Sequence, residues 1–257
     1  MRRVAVLAAS GRELAPMRNV FDCGWTITRG RIGAFRHEVG RAGDIEVHLI
    51  RTGVGWNRAR EAGEAVLTAI GPDALISTGY AGALGVANIG EVIIGTEIFD
   101  WTTEQSRQGI QADPELLDRA REAARDARIA WTQGPVVTVE RVVWRAGEKQ
   151  ALGKASGAIA VDMESAAIAK VASAAGIPFL LVRAISDRAQ DDLPMDFNLW
   201  FAPFGFLRCL LQVSQRPSVL RGLYEMKHHA DQASESLRRV FLKLTADMPV
   251  IAGARSW

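Results

Sequence analysis

Two short acidic motifs each stand at the edge of an apolar run. The motif VDMES at 161–165 follows one run, and the motif RAISD at 183–187 ends the next. The residues between them, 166–179, predict one helix and a short turn. Ligands of parallel α/β sheets bind beyond the carboxyl ends of the strands, so Glu164 and Asp187 are expected at the same edge. The order of elements therefore predicts a ligand site built around two carboxylates.

A glycine-containing stretch, STGYAG at 77–82, follows another apolar run. Glycines after a strand let backbone N–H groups approach an anion or a ribose hydroxyl. The stretch lacks the Lys and the Ser or Thr of a P-loop, which argues against a nucleoside triphosphate. The run from Gly53 to Gly55 is no dinucleotide fingerprint either, because Arg58 occupies the position of the third glycine. A dinucleotide-dependent oxidoreductase is therefore disfavoured.

The elements that would position these residues alternate between strands and helices as far as Asp187. Apolar runs predict strands at 4–8, 74–77, 90–97, 134–139 and 158–161. Periodicity and start signals predict helices at 13–20, 57–70 and 113–125. Alternating patterns at 25–29 and 45–50 predict antiparallel hairpins. No linker or repeat interrupts this part, so the sequence predicts one doubly wound α/β domain with a central mixed sheet flanked by helices.

The character of the chain changes after Asp187. An aromatic cluster at 199–211 precedes a long helix that begins at Pro217 and carries an apolar stripe from Leu220 to Leu244. We expect a catalytic domain at 1–190, with residues 191–257 forming an aromatic segment and a long helix packed on it. The aromatic cluster has two interpretations: a subunit interface or extra core, or an entrance that accepts an apolar substituent or touches a bilayer.

Composition limits the remaining classes of function. Of 257 residues, 48% are hydrophobic and 23% charged, and the net charge of +2 is too small to suggest nucleic acid. Cys23 and Cys209 form no CxxC pair, which argues against a disulfide framework or a zinc ribbon and fits a reducing compartment. The apolar run at 4–9 is too short for a signal peptide, and no run approaches the ~18 residues of a membrane span. We expect a cytoplasmic protein, with peripheral contact at the inner membrane surface left open.

The motifs at 77–82, 161–167 and 183–187 stand in the order and spacing of a known superfamily. Over residues 1–190 the chain resembles the purine nucleoside phosphorylases and methylthioadenosine/adenosylhomocysteine nucleosidases. The tail, with LP at 193–194, SQRP at 214–217 and the helix at 218–244, is similar to the hopanoid-associated phosphorylases. That branch is thought to release adenine from adenosylhopane, a nucleoside with a triterpenoid tail. The resemblance implies a nucleoside phosphorylase-like fold and cleavage of an adenine N-ribosidic bond by phosphorolysis in hopanoid biosynthesis.

The resemblance also implies roles for the two acidic motifs. Asp187 would protonate, or at least hydrogen-bond, N7 of the departing purine, and apolar surroundings near Ile185 would favour its protonated form. Glu164 would accept hydrogen bonds from the ribose 2′- and 3′-hydroxyls and stabilise positive charge on the sugar. Met163 would pack against the ribose face.

The contacts to the base depart from the nucleosidase pattern. Val142 and Val143 stand where nucleosidases place a base-stacking Phe, so base contacts with these residues and Ser186 would be apolar packing and backbone hydrogen bonds. Tyr80 stands where relatives carry a small residue, which would crowd or reshape the ribose pocket. A preference for ordinary methylthioadenosine is therefore in question.

The second substrate is left open between phosphate and water. Glu13 follows the first strand at the offset where the nucleosidases carry their water-activating carboxylate, and this role implies hydrolysis. Arg12 with Gly11, Thr78 and Gly79 would instead hold phosphate, which implies phosphorolysis.

Two alternatives to a phosphorylase remain. One is a hydrolytic methylthioadenosine/S-adenosylhomocysteine nucleosidase, and the other is a non-catalytic nucleoside-binding module. The resemblance implies no metal and no redox cofactor. It also implies a small-molecule adenine nucleoside as substrate, with or without a lipid link, and a homo-oligomer, with a dimer favoured.

Overall fold

The computed structural model describes residues 2–21, 28–42, 45–102, 108–198 and 217–246. The strands are β1 (Arg2–Ala8), β2 (Thr28–Ile32), β3 (Phe35–Ala42), β4 (Ile45–Arg51), β5 (Ala74–Ala83), β6 (Val92–Asp100), β7 (Ile110–Gln111), β8 (Trp131–Thr138), β9 (Ala160–Asp162) and β10 (Phe179–Asp187). The helices are α1 (Gly11–Phe21), α2 (Trp56–Ile70), α3 (Pro114–Asp126), α4 (Ala146–Ser156), α5 (Ser165–Ala174) and α6 (Pro217–Ala246).

The strands form one mixed sheet, part of which closes on itself. The hydrogen-bonded order is β10-β6-β8-β9-β5-β1-β4-β3-β2, and β10 also pairs with β5. Strands β5, β9, β8, β6 and β10 therefore form a ring, and β1, β4, β3 and β2 extend from it. The predicted fold class, an α/β fold with a central mixed sheet flanked by helices, is confirmed. The predicted antiparallel hairpins correspond to the pairs β2–β3 and β3–β4. Of the strand predicted at 25–29, residues 25–27 lie outside the described residues, and β3 was not predicted.

The two acidic motifs converge for a different reason from the one expected. Strand β10 is parallel to β5, whereas β9 is antiparallel to it. Both meet the end of β5, because Val161 and Asp187 are each registered opposite Gly82. The expectation of a shared carboxyl edge of parallel strands was wrong, and closure of the ring brings the motifs together instead.

The glycine-containing stretch at 77–82 is part of β5 and not a loop beyond it. Pairing with β10 runs from Leu75 to Gly82 without leaving the strand conformation. Gly79 has a φ of +139°, a value that residues with a side chain rarely adopt. The predicted strand at 74–77 was therefore too short. The glycines were interpreted as the end of the strand, whereas β5 continues through them to Ala83.

Helix α6 packs against the core with one apolar face. Five of its side chains are buried with the main apolar cluster: Ala233, Leu237, Val240, Phe241 and Leu244. Leu220, which the predicted stripe included, is 57% exposed. The aromatic cluster at 199–211 lies outside the described residues, and the division at residue 190 stays a prediction. None of the helices in the described ranges combines the length and apolar content needed to cross a membrane.

Candidate active site

A cavity of about 310 Å³ lies where β5, β9 and β10 meet the start of α1. Such a volume is at the lower end of the range of small-molecule sites. Its lining residues are Ala9, Ser10, Glu13, Val54, Tyr80, Ala81, Gly82, Val139, Arg141, Val142, Val143, Val161, Asp162, Met163, Glu164, Ser186, Asp187 and Leu193. Eight of the residues singled out in the sequence line this cavity together: Glu13, Tyr80, Val142, Val143, Met163, Glu164, Ser186 and Asp187.

Glu13 enters the cavity from the first turn of α1, where it forms a capping box with Ser10. The Ser10 amide donates to Oε2 of Glu13 at 2.7 Å, and the Glu13 amide donates to Oγ of Ser10 at 3.3 Å. The Tyr80 amide donates to Oε1 at 3.1 Å. The side chain is buried and not a solvated first-turn glutamate. Its two oxygens are fixed by backbone donors, and each keeps accepting capacity for a further hydrogen bond.

Gly79 makes room for this carboxylate. A Cβ atom built on Gly79 would collide with Oε1 of Glu13 and with Nη1 of Arg183. The absent side chain and the φ of +139° together allow the carboxylate and the guanidinium to approach the β5 backbone. Gly79 therefore shapes the wall behind the cavity, although it does not line the cavity itself.

Glu164 is free to face the cavity because Asp162 caps α5 in its place. Oδ1 of Asp162 accepts from the Ser165 amide at 3.2 Å and from the Thr138 hydroxyl at 2.7 Å. Glu164 turns away from the helix, and its Oε1 accepts from the Gly55 amide at 2.8 Å. Its position is thus set by β9, by the start of α5 and by the glycine turn before α2.

The electrostatics of the cavity floor are set by Arg183, which is fully buried among carboxylates. Its Nη2 lies 2.7 Å from Oδ2 of Asp162 and 3.8 Å from Oε2 of Glu164. Burial raises the pKa of Glu164 to about 7; Arg183 opposes this rise, and the charges of Asp162 and Glu13 add to it. Glu164 therefore titrates near neutral pH.

Asp187 reaches the cavity through a bulge in β10. The register with β5 shifts between Ile185 and Asp187, so Ser186 is the extra residue. Consecutive strand residues normally face opposite sides, but the bulge lets both Ser186 and Asp187 line the cavity. Oγ of Ser186 donates to Oδ1 of Asp187 at 2.9 Å, and a Cβ built on Gly82 would lie 2.9 Å from Oδ2.

The surroundings of Asp187 differ from the apolar ones expected. Nζ of Lys149, from α4, lies 2.5 Å from Oδ2 of Asp187, and the Lys149 side chain is completely buried. The Asp187 carboxyl group therefore faces a cation at ion-pair distance and not an apolar wall. Sequence reasoning missed both α4 and Lys149, because a helix whose buried face presents a lysine shows no apolar periodicity.

Val142 and Val143, the residues predicted to contact the base, line the cavity mainly with their side chains. Both the N–H and the C=O of Val142 are bonded to the side chain of Asn198, at 2.8 and 2.9 Å. The N–H of Val142 is therefore not available to a base, whereas its C=O keeps one lone pair for a further hydrogen bond. The side chain of Val143 packs against an apolar cluster that includes Val139 and Val161.

The residues proposed to hold phosphate lie outside the cavity lining. Nη2 of Arg12 points to helix α6, where it is 2.6 Å from Oδ1 of Asp231 and donates to the Lys227 carbonyl. The Gly11 carbonyl accepts from Arg18. Thr78 is buried; its carbonyl accepts from Arg183, and its hydroxyl has no partner among the described residues. The structure therefore does not bring Gly11, Arg12 and Thr78 together around a cavity anion.

Tyr80 links the cavity to α6. Its hydroxyl is 2.5 Å from Oγ of Ser234, while its backbone N–H supports Glu13. Across the part of the chain that the structure describes, no three His, Cys, Asp or Glu side chains are arranged to hold a metal ion.

Comparisons with known proteins show the family of this chain. The profile of the Phosphorylase superfamily matches residues 3–203. A 5′-methylthioadenosine/S-adenosylhomocysteine nucleosidase of Maridesulfovibrio salexigens is 32% identical over 205 residues, covering 74% of this chain and 87% of the relative. An enzyme of the same name from Chromohalobacter salexigens is 30% identical over 215 residues, covering 77% of this chain and 89% of the relative.

Solved structures extend the likeness to nearly the whole chain. The 5′-methylthioadenosine/S-adenosylhomocysteine nucleosidase of Neisseria meningitidis, in complex with methylthio-immucillin-A, has a TM-score of 0.77 at 22% identity, covering 96% of this chain and 100% of that one. The futalosine hydrolase of Helicobacter pylori has a TM-score of 0.76 at 18% identity, covering 96% and 97%. At these identities the likeness concerns the fold. The predicted class of enzyme, one that cleaves an N-glycosyl bond, is confirmed by the sequence relatives, and this chain belongs to the phosphorylase superfamily.

Proposed function

We propose that this enzyme hydrolyses the N-ribosidic bond of a 5′-substituted adenosine, of the methylthioadenosine or adenosylhomocysteine kind, and releases adenine. The observation that carries the proposal is the placement of Glu13. It is a buried carboxylate, fixed by the Ser10 and Tyr80 amides, in the same cavity as Glu164 and Asp187. The names of the sequence relatives support the substrate class.

The proposed reaction assigns one step to each carboxylate. A water held by Glu13 attacks C1′ of the ribose and gives its proton to the carboxylate. The C1′–N9 bond breaks, its electron pair enters the purine, and Asp187 passes a proton to N7. Glu164 binds the ribose hydroxyls and stabilises the positive charge that develops on the sugar. Met163, which lines the cavity beside Glu164, packs on the ribose.

Water fits this cavity better than phosphate does. Glu13, Asp162 and Glu164 surround the buried Arg183, so carboxylates outnumber guanidiniums on the cavity floor. Arg141 also lines the cavity, but it pairs with Glu148 at 3.2 Å, and its side chain is 60% exposed. A dianion beside Glu13 would be repelled, whereas a neutral water would be bound and activated.

The test is adenine release from methylthioadenosine and adenosylhomocysteine, each with and without inorganic phosphate. We expect release that does not depend on phosphate, and we expect Glu13→Gln to lower kcat by at least about 100-fold, as for a lost general base. The matched control is Glu61→Gln, an exposed glutamate of α2, which should leave the rate unchanged. Release that requires phosphate would overturn the proposal, and so would full activity of Glu13→Gln.

Phosphorolysis of adenosylhopane remains the second prediction, and it rests on the pattern of the tail. Adenosylhopane is therefore included in the same assay, again with and without phosphate. Phosphate-dependent cleavage of this substrate alone would favour the hopanoid-associated branch over the nucleosidases. A lipid-linked substrate, peripheral membrane contact and a homo-oligomer likewise stay predictions.

A further inference from the structure

Lys149 is a completely buried lysine that meets the cavity only through Asp187. Its Nζ is 2.5 Å from Oδ2 of Asp187 and donates to the carbonyls of Arg188 and Asp191, both at 3.0 Å. The three donors of the ammonium are thus used by one carboxylate and two carbonyls. Lys149 does not line the cavity, so it can act on a bound molecule only through the groups it holds.

The packing of α4 brings Lys149 to this place. Lys149 is the buried residue of α4, and Gly153 lies one turn further along the same face. A Cβ built on Gly153 would stand 2.8 Å from the carbonyl oxygen of Leu84, just beyond β5. The missing side chain lets the helix approach closely enough for the ammonium to reach Asp187. Even a paired buried charge often contributes no more stability than an apolar residue of similar volume, so such an arrangement calls for a reason beyond packing.

The chemistry of the purine edge supplies a reason. N7 and the substituent on C6 lie side by side on one edge of the base, so a group that contacts N7 also faces that substituent. Adenine presents an amino group there, which donates, and a 6-oxopurine presents a carbonyl, which accepts. A carboxylate accepts only, whereas a protonated carboxyl group can also donate.

We propose that Lys149 is a positioning residue that makes the site specific for 6-aminopurines by stabilising the carboxylate form of Asp187 against the base. The inference rests on the proposed function, in which Asp187 contacts the leaving purine. When the C1′–N9 bond breaks, the O–H bond of Asp187 breaks and the N7–H bond forms. Lys149 keeps its three protons and stabilises the resulting carboxylate. That carboxylate accepts hydrogen bonds from N7–H and from the 6-amino group, but it repels the oxygen of a 6-oxopurine.

Two bonds of Lys149 extend its effect to the segment after β10. The carbonyls of Arg188 and Asp191 are held by the ammonium, and the Leu193 amide donates to the Trp144 carbonyl at 2.8 Å. Leu193 lines the cavity. A loss of Lys149 could therefore act through charge or through this segment, and the variants must separate the two.

The experiment compares kcat/KM for 5′-methylthioadenosine with kcat/KM for 5′-methylthioinosine. Lys149→Met removes the charge and the donors, Lys149→Gln removes the charge but keeps a donor for the carbonyls, and Lys149→Arg keeps the charge. We expect both neutral variants to lower the adenosine-to-inosine ratio by at least about tenfold, the size of one lost charge-assisted contact. Lys149→Arg should restore most of the ratio. The matched control is Lys154→Met, an exposed lysine of the same helix, which should change nothing.

A double variant tests whether the effect passes through Asp187. If it does, Lys149→Gln should not change the ratio further once Asp187→Asn is present, because coupled residues are not additive. Where turnover of the inosine substrate falls below detection, calorimetric dissociation constants of adenine and hypoxanthine measure the discrimination between the two bases in binding, which should change in the same direction. Thermal unfolding shows which variants are folded. If Lys149→Met does not fold, Lys149→Gln is the neutral variant used.

Two failures would be distinguishable. An unmodified enzyme that neither cleaves methylthioadenosine nor binds adenine would remove the proposed function and this inference with it. An active enzyme in which the neutral variants slow both substrates equally would remove only the inference, and Lys149 would then be a structural residue. A change in the ratio that persists in the Asp187→Asn background would also overturn it.

Discussion

Each carboxylate of the cavity has its own partners, and these partners decide what it can do. Glu13 is held by two backbone amides, Glu164 by one amide and by the charge of Arg183, and Asp187 by Lys149. The carboxylate of Asp162 pairs with Arg183 and accepts a hydrogen bond from the first turn of α5. Of these four acidic side chains in the cavity lining, three are left to face the cavity, and Asp162 holds the surrounding structure.

Glu164 makes the stability of the protein depend on pH. Its pKa is raised from 4.5 to about 7 in the folded state, so between these values the folded chain binds a proton that the unfolded chain has released. Stability contributed by this group is full below about pH 4.5 and is lost as pH rises through about 7. We expect Glu164→Gln, which stays neutral, to be more stable than the unmodified protein at pH 8 by up to about 3 kcal/mol, at ~1.4 kcal/mol per pKa unit.

The measurement is the unfolding free energy in denaturant at pH 5, 6, 7 and 8. The gain of Glu164→Gln should shrink towards pH 5, where Glu164 itself is protonated. Glu61→Gln, on an exposed face of α2, is the control for a general change in net charge. A gain that is the same at every pH would contradict the raised pKa.

At the scale of elements, the cavity depends on places where the backbone approaches something closely. Gly79 and Gly82 of β5 leave space for the carboxylates of Glu13 and Asp187, and Gly153 leaves space for the β5 end beside α4. The bulge at Ser186 turns two consecutive side chains to one side. Because the backbones approach closely at these glycines and the strand bulges at Ser186, the carboxylates of Glu13 from α1 and Asp187 from β10 both reach the same cavity.

Gly79→Ala tests the closest of these approaches. The new methyl group would meet the carboxylate of Glu13 and the guanidinium of Arg183, and the φ of +139° disfavours a side chain in any case. We expect a loss of about 2–4 kcal/mol in unfolding free energy and a larger proportional loss of adenine release. Gly85→Ala is the matched control, because a Cβ there has no heavy atom within 4 Å. Wild-type stability and activity of Gly79→Ala would contradict this account of the cavity wall.

At the scale of the whole molecule, ring closure and α6 make the site part of one body. The ring β5-β9-β8-β6-β10 brings strands of opposite direction to Gly82, and α6 reaches the cavity through Tyr80 and Ser234. The buried face of α6 belongs to the same apolar cluster as the central strands. The helix therefore stabilises the catalytic fold, whatever the aromatic segment before it does.

Leu237→Ala tests this integration. Leu237 is fully buried, so its truncation should cost about 2–5 kcal/mol and should lower the midpoint of a single unfolding transition that tryptophan fluorescence and circular dichroism both report. Leu220→Ala on the same helix, where the side chain is 57% exposed, should change the free energy by less than about 0.5 kcal/mol. Two separate transitions, with α6 melting first, would show instead that the tail is an independent unit.

The sequence by itself determined the local structure and the family. Apolar runs, start signals and glycines located most strands and helices, because these patterns act over a few neighbouring residues. The motifs around Glu164 and Asp187 indicated the superfamily because their order and spacing along the chain match the superfamily pattern. Where an element lacked a local signal, as α4 does, the sequence showed nothing.

Only the tertiary structure decided which residues meet. The antiparallel direction of β9 and the closing pair β5–β10 depend on contacts between segments about 80 to 100 residues apart, to which no local pattern responds. The partner of Arg12 is also a tertiary feature. In the sequence Arg12 was a candidate phosphate ligand, but in the folded chain it pairs with Asp231 of α6. The dependence on tertiary contacts is clearest for Lys149. A lysine in a polar helix predicts a solvated side chain, and only the approach of that helix to β5, at Gly153, turns it into the buried partner of Asp187.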